Sequence, residues 1–342
     1  MTRRAASFEN DSRSAALHGC TSVSPKTNGQ FPKSHILNFG FWSLGVGRLK
    51  AGIFQRPAKG LRDGCLAIVV ACAVASAQQT ARPSRIISLI PAVTEMLFAM
   101  GAGSQVVAVS SFDAYPPEVS KLPRVGALLD PNLENILALR PDLVATYGSQ
   151  TGLLQQLARA NIPTFTYSHA GLSEIPIIIR RLGDRVGRAR EAAAVVDTIE
   201  KQLASIRARV AGRRRARTVI VFGRETGALR GIYASGGVGF IHDIVEIAGG
   251  TNVFADIKRE AVQATTELIL SRRPDVVLEL RASLKPEEAA KESRAWSTLT
   301  AMPAVKAGRV YVLTDQRTVV PGPRIAAGAE VIARTLHPEA FK

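Results

Sequence analysis

The chain has 342 residues, enough for two domains of ordinary size. Its 44 Lys and Arg against 28 Asp and Glu would suit a nucleic-acid partner, but the surplus is not gathered into a binding surface. Residues 1–77 hold ten basic and three acidic side chains, and twelve of the other 34 basic residues lie between Leu172 and Arg217. With no aromatic–basic interleaving and no nucleic-acid module beside them, nucleic acid is set aside as a partner.

The first 60 residues are polar and lack sustained periodicity, so no fold is assigned to them. Arg62-Asp63-Gly64, the apolar run Cys65–Val74 and Ala75-Ser76-Ala77 then follow in the order of a secretory signal peptide. That apolar run is too short to cross a bilayer. The expectation is export to the periplasm with cleavage near Ala77 and translation starting near residue 60. Lipid anchoring at Cys72, in Val69-Val70-Ala71-Cys72, is the alternative. Cys20, Cys65 and Cys72 all precede Gln78, so the mature chain would hold neither disulfide nor thiol.

From Arg85 the pattern is α/β. Ile86–Ile90, Val106–Ser110, Leu143–Tyr147 and Thr164–Tyr167 read as strands. Thr94–Met100, Leu133–Leu139 (capped by Asp130-Pro131-Asn132) and Gly152–Ala160 read as helices. Short strands alternating with helices imply a parallel sheet covered on both faces.

Between Leu172 and Gly212, apolar residues recur in steps of three and four: Ile175, Ile179, Leu182, Val186, Ala189, Ala193, Val196, Ile199, Leu203, Ile206 and Val210. This spacing predicts one long helix with Ser173 as N-cap, Pro176 in the first turn and Gly212 as its stop. At about 1.5 Å per residue it would run roughly 55 Å. Gly183 and Gly187 weaken it by about 1 kcal/mol each, so packing must hold it. Placed between two α/β halves, it reads as a strut joining two lobes; a long helix inside one domain is the alternative.

Beyond the strut, Thr218–Phe222, Val276–Leu280 and Val310–Leu313 read as strands, and Val238–Ala248, Thr265–Ser271 and Arg324–Leu336 as helices. The stretch Glu134–Val144 echoes Glu267–Val277, sharing Arg-Pro-Asp at its turn. A repeated helix–turn–strand unit on each side of the strut supports two like-built lobes. The expected architecture is a leader over 1–77, an N-terminal α/β lobe over 78–170, a linker helix over 171–212 and a C-terminal α/β lobe over 213–342. Both sheets are expected to be parallel, joined by one rigid helix, with a ligand cleft between the lobes.

The carboxyl ends of two facing parallel sheets and the loops after them line a shared groove. Those loops carry Phe112, Asp113, Tyr115 and Tyr147 in the first half, and Arg224, Tyr233, Arg281, Asp315, Gln316 and Arg317 in the second. Aromatic rings and guanidinium groups suit a large, flat, partly anionic ligand. Catalytic patterns are missing: there is no G-x-S-x-G, H-E-x-x-H, P-loop or C-x-x-C. The five histidines (His18, His35, His169, His242, His337) are scattered, and the glycine-rich Gly231–Gly239 lacks a Lys-Ser/Thr pair. The chain is therefore not expected to be an enzyme or to hold a resident metal or cofactor. An exported enzyme on a similar fold would need converging acid and base groups, and a metal-ion binder three or four converging ligands.

The run Arg85-Ile-Ile-Ser-Leu-Ile-Pro-Ala-Val-Thr-Glu-Met-Leu, then Tyr115-Pro-Pro-Glu, then Pro131-Asn-Leu-Glu-Asn-Ile-Leu-Ala-Leu-Arg-Pro-Asp-Leu-Val resembles the helical-backbone periplasmic binding proteins. These are the substrate-binding components of ABC importers for cobalamin, haem and ferric siderophores, and the cobalamin branch is nearest in pattern. The resemblance, over about Arg85–Leu336, implies two lobes on a rigid helix and a monomer that delivers a small molecule to an inner-membrane permease. The ligand it implies is a metal-containing corrinoid, with a ferric siderophore or haem as the alternative. It places Glu134 and Glu246 on the outer faces of the lobes, where they would dock onto permease arginines. Tyr115 matches a cleft tyrosine, Tyr147 and Leu128 stand where tryptophans are usual, and Tyr233 lies near a phenylalanine position. The loop Gln316–Arg324 lacks the family's aromatic run.

Overall fold

A computed structural model describes residues 82–168 and 171–342. The signal segment with its cleavage site near Ala77, the anchor at Cys72, and His18, His35 and His169 lie outside the described residues.

The first lobe is built from β1 (Ile86–Ser88), α1 (Pro91–Ala99), β2 (Val106–Val109), α2 (Leu133–Ala138), β3 (Leu143–Tyr147), α3 (Thr151–Arg159) and β4 (Thr164–Tyr167). Its strands pair in parallel in the order β2-β1-β3-β4. Ile86, Ile87, Leu143 and Val144 are fully buried, as expected of short strands with helices over both faces. Pro91 opens α1, and the Asn132 side chain caps α2 by accepting from the Asn135 N–H.

The predicted single strut is two helices, α4 (Glu174–Val186) and α5 (Ala189–Val210). Gly187 takes the left-handed conformation at φ 72° and ends α4. The Arg188 N–H reaches the Gly183 carbonyl at 2.7 Å and the Gly187 N–H the Asp184 carbonyl at 3.4 Å, which closes the turn. The break also resets the apolar phase. In α4 the buried positions are Ile175, Ile178, Ile179, Leu182 and Val186; in α5 they are Ala192, Val196, Ile199, Leu203, Ile206 and Val210. Ala192 lies six positions after Val186, a step that one continuous helix would place on different faces. Ala189, which continued the sequence stripe, is exposed. Nor does Ser173 cap α4 with its side chain, because its hydroxyl turns to Glu174. The two helices meet tightly at the joint, where a Cβ on Gly183 would stand 2.3 Å from that of Ala192.

The connection between lobes is therefore α5 alone, 22 residues or about 33 Å long, packed on α4 at one side of the molecule and on the second lobe at the other.

That second lobe comprises β5 (Ala216–Gly223), β6 (Ile232–Ser235), α6 (Phe240–Ile247), β7 (Gly250–Asn252), β8 (Ala261–Ala264), α7 (Thr266–Arg272), β9 (Val276–Leu280), α8 (Pro286–Arg294), α9 (Pro303–Lys306), β10 (Val310–Leu313) and α10 (Ile325–Leu336). Its sheet runs β10-β9-β5-β6-β8, with β7 beside the start of β5. It is mixed rather than wholly parallel, since β6 is antiparallel to both β5 and β8. Strands β6 to β8 carried too few apolar residues between glycines to be read as strands from periodicity alone.

The repeated unit is real in three dimensions. Helix α2 turning into β3 corresponds to α7 turning into β9, and Arg140 and Arg273 both take positive φ at the turn, 44° and 46°. Asp142 then ties back to the strand before it through the Arg85 N–H, as Asp275 does through the Arg217 N–H. Even the arginine braces agree, Arg85 on the Leu139 carbonyl and Arg217 on that of Arg272. One hydrophobic cluster passes through both lobes and the joint, including Met96, Leu182, Ile199, Val245 and Ile332. No helix among the described residues is long and apolar enough to cross a membrane.

Candidate ligand-binding site

The first lobe offers a wall of rings and leucines at the carboxyl ends of its strands. After β2, the Asp113 carboxylate accepts from the Ser110 N–H at 2.8 Å and its hydroxyl at 2.5 Å, and Arg124 grips the Ser110 and Asp113 carbonyls at 2.7 Å each. This fixes a loop whose tip presents Phe112, 75% exposed. Burial pushes the Asp113 carboxyl up against the hydrogen bonds from Ser110.

A second loop turns tightly at Gly126, where a Cβ would stand 2.0 Å from the Asp130 carbonyl. Buried Gln150 staples it down, donating to the Leu128 carbonyl at 3.1 Å while its own oxygen accepts from Thr146 and the Tyr147 N–H. Leu128 and Leu129 are thereby held outward. Tyr147 meets Tyr167 edge-on with centroids 5.9 Å apart. Burial raises the pKa of both phenols, assisted by Asp113 at Tyr147 and by Tyr147 and Glu260 at Tyr167. Glu260, the smallest of these influences on Tyr167, belongs to the second lobe and precedes β8.

Where the lobes meet, Arg324 at the start of α10 pairs with Glu95 of α1, Nε to Oε2 at 2.9 Å and a terminal nitrogen to Oε1 at 2.5 Å. The same guanidinium lies 3.7 Å from the centre of the Tyr115 ring. Burial raises Glu95 against this partner.

The second lobe contributes a cavity of about 610 Å³ lined by Phe222, Val238, Phe240, Ile241, Leu280 and Val319, with Glu260, Arg281, Ser235 and Ser283 as its polar groups. That volume is of the size that holds small molecules, roughly 300–1,000 Å³. Beneath it runs a buried chain of charges. Arg224 pairs with Glu292 at 2.9 Å and with Glu279 at 3.0 Å. Glu279 also accepts from the Trp296 Nε1–H at 2.9 Å and from Arg281 at 3.0 Å.

The sequence-derived residues divide accordingly. Tyr115, Leu128 and Tyr147 stand on the first lobe's wall, and Tyr233 on β6 is half exposed outside the cavity lining. Arg224 is fully buried in the charge chain with no side-chain exposure and is not part of the cavity lining. Arg317 is held by Asp315, which lowers the carboxyl of that aspartate, and Gln316 is exposed beside it. Gly236 and Gly237 press against the backbone of residues 255–259, which accounts for the glycine-rich stretch by packing.

Glu134 is exposed on α2, whereas Glu246 on α6 is engaged by Arg215 and by the Asn252 N–H. Through the repeat, the counterpart of Glu134 is Glu267, at the same second position of α7. Sequence reasoning passed over Gln150 and Glu279, while Arg281, named there among the strand-end arginines, lines the cavity. Neither of the two missed residues carried a sequence signal. No group of three or more His, Cys, Asp or Glu that could hold a metal occurs among the described residues.

A family model described as periplasmic binding protein matches residues 86–317. An uncharacterized ABC transporter substrate-binding lipoprotein of Bacillus subtilis, YvrC, is 30% identical over 267 residues, covering 76% of this chain and 82% of its own. A vitamin B12-binding protein of Pectobacterium carotovorum is 30% identical over 260 residues, 75% of this chain and 89% of its own. The crystal structure of the periplasmic vitamin B12 binding protein BtuF of Vibrio cholerae superposes with a TM-score of 0.64 at 25% identity, covering 76% of this chain and 98% of the other.

Proposed function

The chain belongs to the periplasmic binding protein family, and from that premise we propose that it is the substrate-binding component of an ABC importer, capturing cobalamin or a related corrinoid. It is exported, loses its leader near Ala77 and works as a monomer without a resident cofactor; the metal it handles is carried by the ligand. Anchoring through Cys72 is the alternative to free export. The observation that supports this reading is a pair of apolar surfaces, exposed aromatic and leucine side chains on the first lobe and an apolar cavity on the second. A bulky, flat-faced ligand is retained there by apolar area on both sides. A ferric siderophore or haem is the second reading, and the guanidinium of Arg281 in the cavity wall favours it. The continuous core through the joint and the Glu95–Arg324 pair between lobes oppose a wide hinge, so closure on the ligand is small.

A thermal-shift screen with cyanocobalamin, haemin and ferric siderophores tests the cargo. The true ligand at 100-fold its dissociation constant should stabilise the protein by about 2.7 kcal/mol. No shift with any corrinoid removes the first reading, and turnover of an added substrate would remove the binding-protein reading altogether.

Delivery requires docking to the permease, and Glu134 is the first lobe's contact. On the second lobe, Glu246 is held by Arg215 while Glu267 occupies the position equivalent to Glu134. Charge reversal at Glu134 should abolish uptake by the reconstituted importer while leaving ligand affinity intact. Reversing Glu246 and Glu267 separately shows which completes the pair, and a parallel fall in affinity would sink the docking role.

A further inference from the structure

We infer that the foot of the second lobe, at the end of its sheet away from the cavity, binds a phosphate group through Arg213, Arg214 and Arg309. The site is independent of the cargo reading. It takes up a feature that the groove leaves unused, the crowding of arginine at the end of α5. A second hollow, also of about 610 Å³, lies between the chain that leaves α5 and the end of α10. Ala216, which opens β5, lines it, whereas Phe222 near the other end of the same strand lines the first cavity. Six positions of strand put about 20 Å between the two, so both can be filled at once.

One sign of charge dominates the wall of this hollow. Gly212, at φ 72°, turns the chain out of α5 and into Arg213, Arg214 and Arg215. The first two line the hollow, and Arg309, just ahead of β10, joins them from two strands away in the sheet. A neighbouring hollow of about 420 Å³ shares Gly212 and Arg213 and adds Arg207 and Arg215. Three carboxylates stand against them: Glu339 on Arg213 at 3.1 Å, Asp275 on Arg214 at 3.2 Å, and Glu246 on Arg215. The first two pairs are open to solvent, which screens them, so they compete weakly with an anion that enters the hollow.

Helix ends account for part of the crowding. Arg309 donates to the Leu336 carbonyl at 3.3 Å and Arg213 to that of Arg209 at 3.2 Å, as cations in the last turn of a helix do. Each does so through one nitrogen of its fork. Arg214 is 83% exposed and caps no helix among the described residues, so capping leaves it unexplained. All three cations are arginines, whose planar forks match the oxygens of a phosphate. A carboxylate would offer only two oxygens to three guanidinium groups, whereas a phosphate group offers three acceptors and up to two charges. A cleft lined by like charges concentrates such an anion. Two sources carry this chemistry, a free phosphate ion or ester and the headgroup of an anionic phospholipid.

The test titrates the exported protein with inorganic phosphate and with glycerol 3-phosphate by calorimetry, and sediments it with phosphatidylcholine vesicles with and without phosphatidylglycerol. Binding is expected in at least one arm and should weaken as salt is raised. Binding of the dissolved anions identifies a free ligand; binding only to vesicles that carry phosphatidylglycerol identifies a headgroup. Arg309→Gln should weaken it about tenfold, the range for one charge-assisted contact, and the exposed Arg214→Gln about two- to fivefold. Arg214→Gln should melt at the wild-type temperature, which keeps the test intact if Arg309→Gln fails to fold. Arg190→Gln, exposed on α5 and outside the hollow, should change nothing. No binding in any arm overturns the site. So does a loss in Arg190→Gln equal to that in Arg214→Gln, which would reduce the site to diffuse attraction by net charge. The thermal response to cyanocobalamin, haemin or siderophores should be the same in wild type and Arg214→Gln, so failure of the cargo reading leaves this site standing.

Discussion

The two lobes share a frame and differ in what they hang on it. In both, a short helix capped by a polar side chain (Asn132, Thr265) turns through a left-handed arginine into a buried strand, and an aspartate ties that strand to its neighbour. At the groove the likeness ends. The first lobe carries exposed rings and leucines on its loops, while the second carries an apolar cavity beside a buried chain of ions. Helix–strand geometry is set by local chemistry and can be used twice; the surface at strand ends is free to diverge because little of the fold depends on it.

The comparison can be broken at four places, in descending order of effect. Glu279→Ala removes the centre of the buried ion chain and leaves Arg224 without its main partner, at an expected cost of about 3–5 kcal/mol. No first-lobe carboxylate should match that loss in urea unfolding; a cost under about 1 kcal/mol would mean that the chain is not a support. Next come the matched core positions Ile136 and Ile269, both fully buried in the repeated unit. Alanine at either should cost about 2–5 kcal/mol, and values within about 1 kcal/mol of each other are expected if the units are one packing solution. A wide gap would reduce the repeat to a likeness of backbone.

Asp142→Asn is smaller, about 1–3 kcal/mol at neutral pH. Burial alone would raise the Asp142 carboxyl, but hydrogen bonds from the Ser84 and Arg85 N–H groups and the Ser84 hydroxyl outweigh it and hold the pKa low. The stability it contributes is therefore present above the unfolded-state pKa and lost as pH falls through the folded one. The variant should show a flatter acid limb in a plot of melting temperature against pH, and an unchanged limb would assign the acid sensitivity elsewhere. Glu95 is the opposite case: burial raises it, so its contribution is present below the unfolded pKa and fades as pH rises through the folded one. Last, Gln150→Ala should cost about 1 kcal/mol, for the partners it leaves unpaired, and loosen the Leu128 loop, read as faster amide exchange at residues 127–130.

Much of the frame was legible before any coordinates. The strands Leu143–Tyr147, Thr164–Tyr167, Val276–Leu280 and Val310–Leu313 fall where the apolar runs placed them. The strut was misread because its stripe steps by three or four straight across Gly187. The glycine marks the break, but the change of phase appears only when burial shows Ala192 inside and Ala189 outside. Tyr115 and Tyr147 were visible as aromatic residues after strands and Leu128 through the family resemblance, and all three lie on the first lobe. Arg224 carried the same signal but is buried among carboxylates away from the cavity lining, because position after a strand does not say which way a side chain turns.

By itself the sequence determined the order of helices and strands, the repeated turn and the lobed plan, since periodicity, caps and left-handed turns act over a few residues. Only the tertiary structure decided which charges pair with one another and which line the cavity. Arg224 and Glu279 are 55 positions apart and Arg324 and Glu95 229 apart. A guanidinium at a strand end looks the same in the sequence whatever carboxylate later closes on it, and burial, which makes that pairing costly to break, exists only once the chain is folded.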